Sequence, residues 1–161
     1  MNAEELIKLL GLEPHPTEGG YFRRTYESSL CIDGSNGRRL LLTSIYYLLT
    51  QEQPGGFLHR NKSDILHYHH LGAAIKYILV SPDGVLYEKI LGPNMRNGEV
   101  LQLLVPGGWW KASRLCAGAY GLISEAVSPG FEYVDNEIAS MDSVQRNFPK
   151  LQHILQQYIT T

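Results

Sequence analysis

The chain has 161 residues, of which 43% are hydrophobic and 19% are charged, and its formal net charge is -2. This length suits one domain with a continuous core, and the charge excludes the dense basic surface of a nucleic-acid-binding protein. The longest apolar runs are too short to cross a bilayer, and MNAEELIKLLGLEP lacks the basic region of a secretory signal. We therefore expect a cytoplasmic protein without nucleic-acid or membrane partners, with Cys31 and Cys116 reduced and buried.

The predicted elements begin with a short amphipathic helix over residues 2–10. Asn2 can cap its start, Gly11 can end it, and its leucines and isoleucine cluster on one side. The next stretch, LEPHPTEGGYFRRTY, contains two prolines and a Gly-Gly pair, which predict an irregular turn before an extended segment.

Short strand candidates separated by turn residues fill the middle of the chain. Gly- and Pro-containing turns, among them QPGG, SPDG and GPNMRNG, separate RLLLTSIYYLLT, HYHHL, IKYILV, LYEKIL, EVLQLLV, WWKASRL and YGLISEAV. Because no helical pattern lies between these runs, they predict an antiparallel sandwich or barrel. A C-terminal helix is predicted over about residues 142–159, with Pro149 in a first helical turn.

The stretch HRNKSDILHYHH, residues 59–70, contains four of the six histidines. On a strand, His67 and His69 share one face and His70 points the other way. The imidazoles of His59, His67 and His69 could together hold a divalent metal ion. The alternative is that these histidines are only hydrogen-bonded or exposed, because no carboxylate follows them in close register.

A second informative segment is GEVLQLLVPGGWWKASRL. Its Pro-Gly-Gly predicts a tight turn that could direct Trp109 or Trp110 into a pocket, where an indole suits a flat or sugar-like ligand. A core tryptophan is the alternative. Gln102 is a further candidate ligand contact, because a buried glutamine needs hydrogen-bond partners.

Other polar side chains are weaker candidates for ligand contacts. Arg24 could bind a ligand carboxylate or phosphate, although such an arginine more often pairs with a local acid such as Glu132. Strand alternation places Tyr46 and Tyr47 on opposite faces without indicating which one faces inward. Ser63 is a further candidate for a ligand contact.

Together, these segments resemble the cupin superfamily, and more closely its cupin-5 group, formerly a domain of unknown function. The resemblance is carried, in order, by LGLEPHPTEGGYFRRTY, TSIYYLLT, HRNKSD, SPDG, VPGGWWKA and VSPGFEY. It implies a double-stranded β-helix, the jelly-roll barrel of sugar-nucleotide epimerases, over about residues 19–138 of a single domain spanning 1–161. It also implies a homodimer.

The sequence departs from the usual cupin metal motifs at two positions. Ile65 stands where a glutamate is expected, and Lys111 stands where the second motif has a histidine. A protonated lysine does not ligate a metal. His59, His67 and His69 remain as candidate ligands, so the expected cofactor is none or a weakly bound divalent metal.

We expect a pocket for a small polar, carbohydrate-like molecule at one end of the barrel. In the first hypothesis the protein is a sugar isomerase or epimerase, with a histidine as base and Lys111 or Arg24 neutralising developing negative charge. The second hypothesis is a non-catalytic binding module, and the third, less favoured, is a metal-dependent enzyme. The catalytic candidates are His67, His59 and Lys111, and the expected pocket lining is His59, His67, His69, Trp110, Gln102 and Lys111.

Overall fold

The computed structural model describes residues 1–160, which form mostly β-strands and three short α-helices. The helices are α1 (Ala3–Leu10), α2 (Met141–Asn147) and α3 (Gln152–Leu155). The strands are β1 (Glu13–Pro14), β2 (Tyr21–Glu27), β3 (Cys31–Gly34), β4 (Gly37–Leu40), β5 (Thr43–Thr50), β6 (Gly55–Asn61), β7 (Asp64–Gly72), β8 (Ile75–Val80), β9 (Leu86–Leu91), β10 (Gln102–Val105), β11 (Trp110–Leu115), β12 (Tyr120–Ser128) and β13 (Asn136–Ile138).

The strands are arranged in two large antiparallel sheets and a separate hairpin. One sheet has the order β1-β2-β5-β12-β7-β10, and the other has the order β13-β6-β11-β8-β9. Strands β3 and β4 pair only with each other. The all-β prediction is confirmed, and the SPDG turn joins β8 to β9 as a hairpin, as its sequence indicates.

The main core lies between the two large sheets. Alternate residues on strands of both sheets point into it, including Tyr47 of β5, Tyr77 of β8 and Ile123 of β12. Tyr47 therefore faces the interior, and Tyr46 lies on the outer face against α1. This answers the question that strand alternation left open.

Helices cover the outer faces of both sheets. Leu6 of α1 packs on Leu48 and Leu122 of the six-stranded sheet. The C-terminal segment covers the five-stranded sheet, where Trp110 packs in one cluster with Leu155. On the strands that these helices cover, the side chains of the opposite face point into the space between the two sheets.

The helix ends follow from local sequence. Asn2 and Glu5 form a reciprocal capping box at the start of α1, and Gly11 ends that helix with φ 60°, so the predicted helix over 2–10 is confirmed. The continuous helix predicted over 142–159 is interrupted. Phe148, whose φ is -138° and ψ 51°, ends α2 because Pro149 disfavours a helical conformation in the preceding residue.

Two further sequence expectations concern exposure. Cys31 and Cys116 are free but exposed, so the expectation that they are buried is wrong. Across residues 1–160, none of the helices has the length and apolar character needed to span a membrane.

Candidate functional site

A pocket lies between the two large sheets. Strands of both sheets and the turn that precedes β2 contribute to its wall. Its charged and imidazole side chains are His15, Glu18, Arg24, His59, Lys111 and Glu125. Its apolar wall includes Phe22, Ile45, Ile65, Val127, Phe131 and Tyr133.

One polar cluster joins the two sheets at the pocket wall. His67 and Glu125 are register partners on the neighbouring strands β7 and β12, and Lys111 reaches them from β11 of the other sheet. The Lys111 ammonium donates to His67 Nε2 at 2.8 Å and to both Glu125 oxygens at 3.2 Å. All three side chains are at least nine-tenths buried.

The hydrogen bonds of this cluster define its protonation states. His67 Nδ1 lies 3.3 Å from the Leu103 carbonyl oxygen, so Nδ1 carries the proton and Nε2 accepts from Lys111. Burial and the nearby ammonium lower the pKa of His67. Burial alone would raise the pKa of Glu125, but the Lys111 ammonium opposes this effect, and the pKa of Glu125 lies well below its usual range.

A second cluster, centred on Glu18, lies in the pocket wall. Glu18 Oε2 is 3.3 Å from His59 Nε2 and 3.8 Å from His15 Nε2. The Asn136 side-chain amide donates to Glu18 Oε1 at 2.9 Å. His59 Nδ1 donates to the Phe57 carbonyl oxygen at 2.7 Å, which directs Nε2 towards the carboxylate.

This geometry suits His59 to proton transfer. In the neutral imidazole, Nδ1 carries the proton and the Nε2 lone pair faces Glu18, so their contact is favourable only when a proton lies between them. Burial lowers the pKa of His59, whereas the charge of Glu18 acts in the opposite direction. The pair can therefore take up a proton from a ligand and return it.

A tight turn positions Glu18 over the pocket. Gly19 and Gly20, which follow it, have φ values of 82° and 70°. Residues other than glycine rarely adopt such a positive φ. The Tyr47 hydroxyl donates to the Gly19 carbonyl oxygen at 2.9 Å and fixes this turn to the core. Sequence reasoning missed His15 and Glu18, although both stand in HPTEGGYF, one of the segments that carry the family resemblance.

A salt-bridged segment borders the pocket mouth. Asp135, which is buried, accepts from Arg39 Nε at 2.6 Å and from a terminal guanidinium nitrogen at 3.0 Å. The side chains of Tyr133 and Asn136, on either side of Asp135, line the pocket. Arg39 of the β3–β4 hairpin thus anchors this part of the wall.

The structure brings four of the predicted site residues together. His59, Lys111 and Arg24 line the pocket, and His67 contacts Lys111 directly behind it. Arg24 is partly exposed and pairs with Glu27 at 2.7 Å, as such arginines commonly do.

The remaining predicted ligand contacts lie outside the pocket, which corrects the expected lining. Trp110 points to the outer face because Lys111, its neighbour on the strand, points inward. Gln102 is exposed for the same reason, with Leu103 facing the core. Ser63 is buried in a turn stabilised by Asn61, Tyr46 packs under α1, and Glu132 is exposed.

The candidate three-histidine metal site is not formed. His69 Nε2 lies 3.3 Å from the Ala73 carbonyl oxygen, and His69 does not join His59 or His67. Within residues 1–160, no group of three or more His, Cys, Asp or Glu side chains is placed to hold a metal ion. The Lys111 ammonium contacts both His67 and Glu125, which lie 3.3 Å from each other, so the residues present do not fit a divalent metal there.

Comparison with known proteins gives matches along most of the chain. The family model described as Cupin superfamily (DUF985) matches residues 4–139. An uncharacterized protein of Saccharomyces cerevisiae is 39% identical over 134 residues, which cover 74% of this chain and 66% of the yeast protein. The matched region thus spans just under two thirds of that relative.

Solved structures with the same fold include two similar in sequence. A hypothetical protein from Leishmania major is 32% identical, with a TM-score of 0.94 and complete coverage of both chains. A protein from Shewanella oneidensis is 34% identical, with a TM-score of 0.91 and coverage of 99% of this chain and 98% of its own. Oxalate decarboxylase from Bacillus subtilis, at 13% identity and a TM-score of 0.57, covers 91% of this chain and 37% of its own, and shares the fold alone.

Proposed function

Because the chain belongs to the DUF985 group of the cupin superfamily, we propose that its pocket binds a small polar ligand and that His59, with Glu18, moves a proton on that ligand. The observation that carries this proposal is the contact of 3.3 Å between His59 Nε2 and the buried Glu18 carboxylate in the pocket wall. A fixed imidazole beside a carboxylate is suited to general acid–base catalysis.

The proposed reaction is isomerisation or epimerisation next to a carbonyl group. The neutral His59 removes a proton from the carbon beside the carbonyl, and the electron pair of the C–H bond moves to the carbonyl oxygen as an enolate. Lys111 lines the same pocket, and its ammonium stabilises that negative charge. For epimerisation, the proton then returns to the other face of the same carbon. For isomerisation, the hydroxyl proton of that carbon moves to the enolate oxygen and the abstracted proton adds to the former carbonyl carbon, so that no other reactant is consumed.

The pocket wall supports a ligand of carbohydrate-like character. Polar groups from two carboxylates and two histidines can exchange hydrogen bonds with hydroxyl groups. Phe22, Phe131 and Tyr133 offer apolar surface for the carbon skeleton. Arg24 near the mouth can bind a carboxylate or phosphate substituent as a bidentate donor.

Solvent-deuterium exchange provides the direct test of this reaction. A panel of sugar phosphates and nucleotide sugars is incubated with the protein in D₂O, and proton NMR follows loss of the signal next to the carbonyl. For a substrate found in this way, His59→Gln and Glu18→Gln are expected to slow exchange by about 100-fold or more. The surface variant His153→Gln is the matched control. Exchange by His59→Gln at the wild-type rate would contradict the proposal.

A non-catalytic binding module is the second candidate. Lys111, Glu125 and His67 already satisfy one another without a ligand, which a pocket used only for binding can tolerate. In that case a ligand raises the melting temperature but is recovered unchanged and undeuterated. A metal-dependent reaction is less well supported. The Bacillus oxalate decarboxylase has Mn(II) centres, whereas Lys111 stands among the candidate ligands here.

A further inference from the structure

Three atoms of His67 and Glu125 that could serve as metal ligands all contact the Lys111 ammonium. His67 Nε2 lies 2.8 Å from Lys111 Nζ, and both Glu125 carboxylate oxygens lie 3.2 Å from it. The Leu103 carbonyl oxygen orients the His67 ring from behind by accepting from Nδ1. An imidazole nitrogen supported in this way, next to a carboxylate, is a typical set of metal ligands.

Lys111 cannot ligate a metal while it is protonated, but it can carry positive charge to the same donors. Its side chain is 5% exposed, that of Glu125 is 9% exposed and that of His67 is fully buried. With His67 neutral, the lysine and the glutamate balance each other's charge. A divalent ion placed at the same donors would meet a fixed ammonium within bonding distance, which strongly opposes its entry.

We infer that the Lys111 ammonium stands where a divalent metal ion could otherwise bind to His67 and Glu125, so that the protein has a fixed, covalently attached cation and excludes divalent metals from these two residues. The inference goes beyond the proposed function, because it holds whether the pocket catalyses a reaction or only binds a ligand. It assigns to Lys111 the electrostatic role of a metal, which is to supply positive charge at the pocket wall.

The consequence is that one substitution should create a metal site. Lys111→His removes the ammonium and supplies a second imidazole, which gives two histidines and a carboxylate as ligands. This set is found in catalytic zinc sites. Because an imidazole is shorter than an extended lysine side chain, it leaves space for an ion between itself and the other donors. Lys111→Met is the matched control, since it removes the charge without adding a ligand.

Isothermal titration with Zn²⁺ after treatment with a chelator tests the inference, with circular dichroism to confirm folding. The wild-type protein should show no zinc binding that depends on His67 or Glu125. Lys111→His should bind one equivalent per chain, Lys111→Met should not, and the double variant Lys111→His/His67→Ala should lose the site.

Three results would overturn the inference. The first is stoichiometric zinc binding by the wild-type protein that His67→Ala or Glu125→Gln abolishes. The second is a folded Lys111→His variant that takes up no more zinc than the wild type. The third is uptake by Lys111→His that the double variant fully retains, which places the ion elsewhere. If Lys111→His does not fold, the wild-type titration with its His67→Ala and Glu125→Gln controls still decides the question.

Discussion

Lys111 and Glu125 are opposite charges that depend on each other, because both lie between the sheets and away from water. Removing the lysine charge leaves a buried carboxylate without a counter-charge, which commonly costs about 3–5 kcal/mol. Lys111→Met is therefore expected to lower the free energy of unfolding by about that amount. Urea denaturation followed by circular dichroism measures the change.

The double variant Lys111→Met/Glu125→Gln is the control for this prediction. It removes the unpaired charge together with its partner, so it should recover much of the lost stability. Equal destabilisation by the single and double variants would mean that packing, and not charge, accounts for the loss.

Protonation of the buried histidines should make stability depend on pH. Burial lowers the pKa values of His15, His59 and His67 from the ordinary value of 6.5, so the unfolded chain binds protons there that the native protein does not. Stability should therefore fall as the pH drops below 6.5, by up to about 1.4 kcal/mol per pH unit for each histidine. The contribution of Glu125 to stability also decreases as the pH falls. It begins to be lost below the ordinary pKa of 4.5 and continues to be lost until the pH reaches the depressed pKa of the native state.

Urea denaturation at about pH 7.5, 6.5 and 5.5 measures this dependence. His59→Gln should reduce the slope, because it removes one of the three groups. His153→Gln, at an exposed position, should leave it unchanged. A stability that is constant or rises towards pH 5.5 would contradict this account.

The sequence identified part of the site for a simple physical reason. Lys111 stands at the position of the second cupin motif and His59 belongs to the histidine-rich stretch 59–70, so motif position and residue type indicate both as site residues. Glu18 gave no such signal because it lies in a turn, where no periodicity exists and where orientation depends on the backbone of Gly19 and Gly20. Trp110 was misplaced because alternation fixes relative faces and not which face is inside.

At the scale of elements, the β3–β4 hairpin and the segment containing β13 are connected by the Arg39–Asp135 salt bridge. We predict that Arg39→Ala loosens the segment 133–138, because Asp135 loses both guanidinium contacts while it remains buried. Hydrogen exchange measured by mass spectrometry should show faster exchange there than in the wild type. Arg38→Ala, next to it on the exposed hairpin, is the matched control and should leave exchange in 133–138 unchanged. Equal protection in both variants would show that other contacts hold the segment.

Helix ends and turns were predictable from the sequence where a short local motif determines the structure. The capping residues of α1 and the turn between β8 and β9 lie within a few residues of the structure that they specify. The C-terminal helix shows the limit of such signals, because its apolar spacing continues through a point where Pro149 breaks the backbone. Apolar periodicity reports which residues pack on the sheet, and it does not report whether the helix between them is continuous.

At the scale of the whole molecule, the site exists only because two sheets face each other. Lys111 belongs to one sheet and its partners His67 and Glu125 belong to the other. These residues are distant in sequence, so no local pattern could show that they meet. The resemblance to cupins could indicate the fold that brings them together, and the position of Lys111 within that fold indicates what is unusual about the site.

The homodimer that the family resemblance implies remains a prediction, and the β3–β4 hairpin is where we expect its interface. A two-stranded hairpin is at best marginally stable alone in water, and Leu30, Ile32 and Leu41 at this hairpin are 64%, 42% and 40% exposed. A second copy of the chain could cover this apolar surface.

Light scattering coupled to size-exclusion chromatography should give twice the chain mass of 18.1 kDa for the wild type. Ile32→Asp should shift the protein towards the monomer, whereas Met95→Asp, at an exposed position far along the chain, should remain dimeric. A wild-type monomer, or a dimer that Ile32→Asp leaves intact, would contradict this interface.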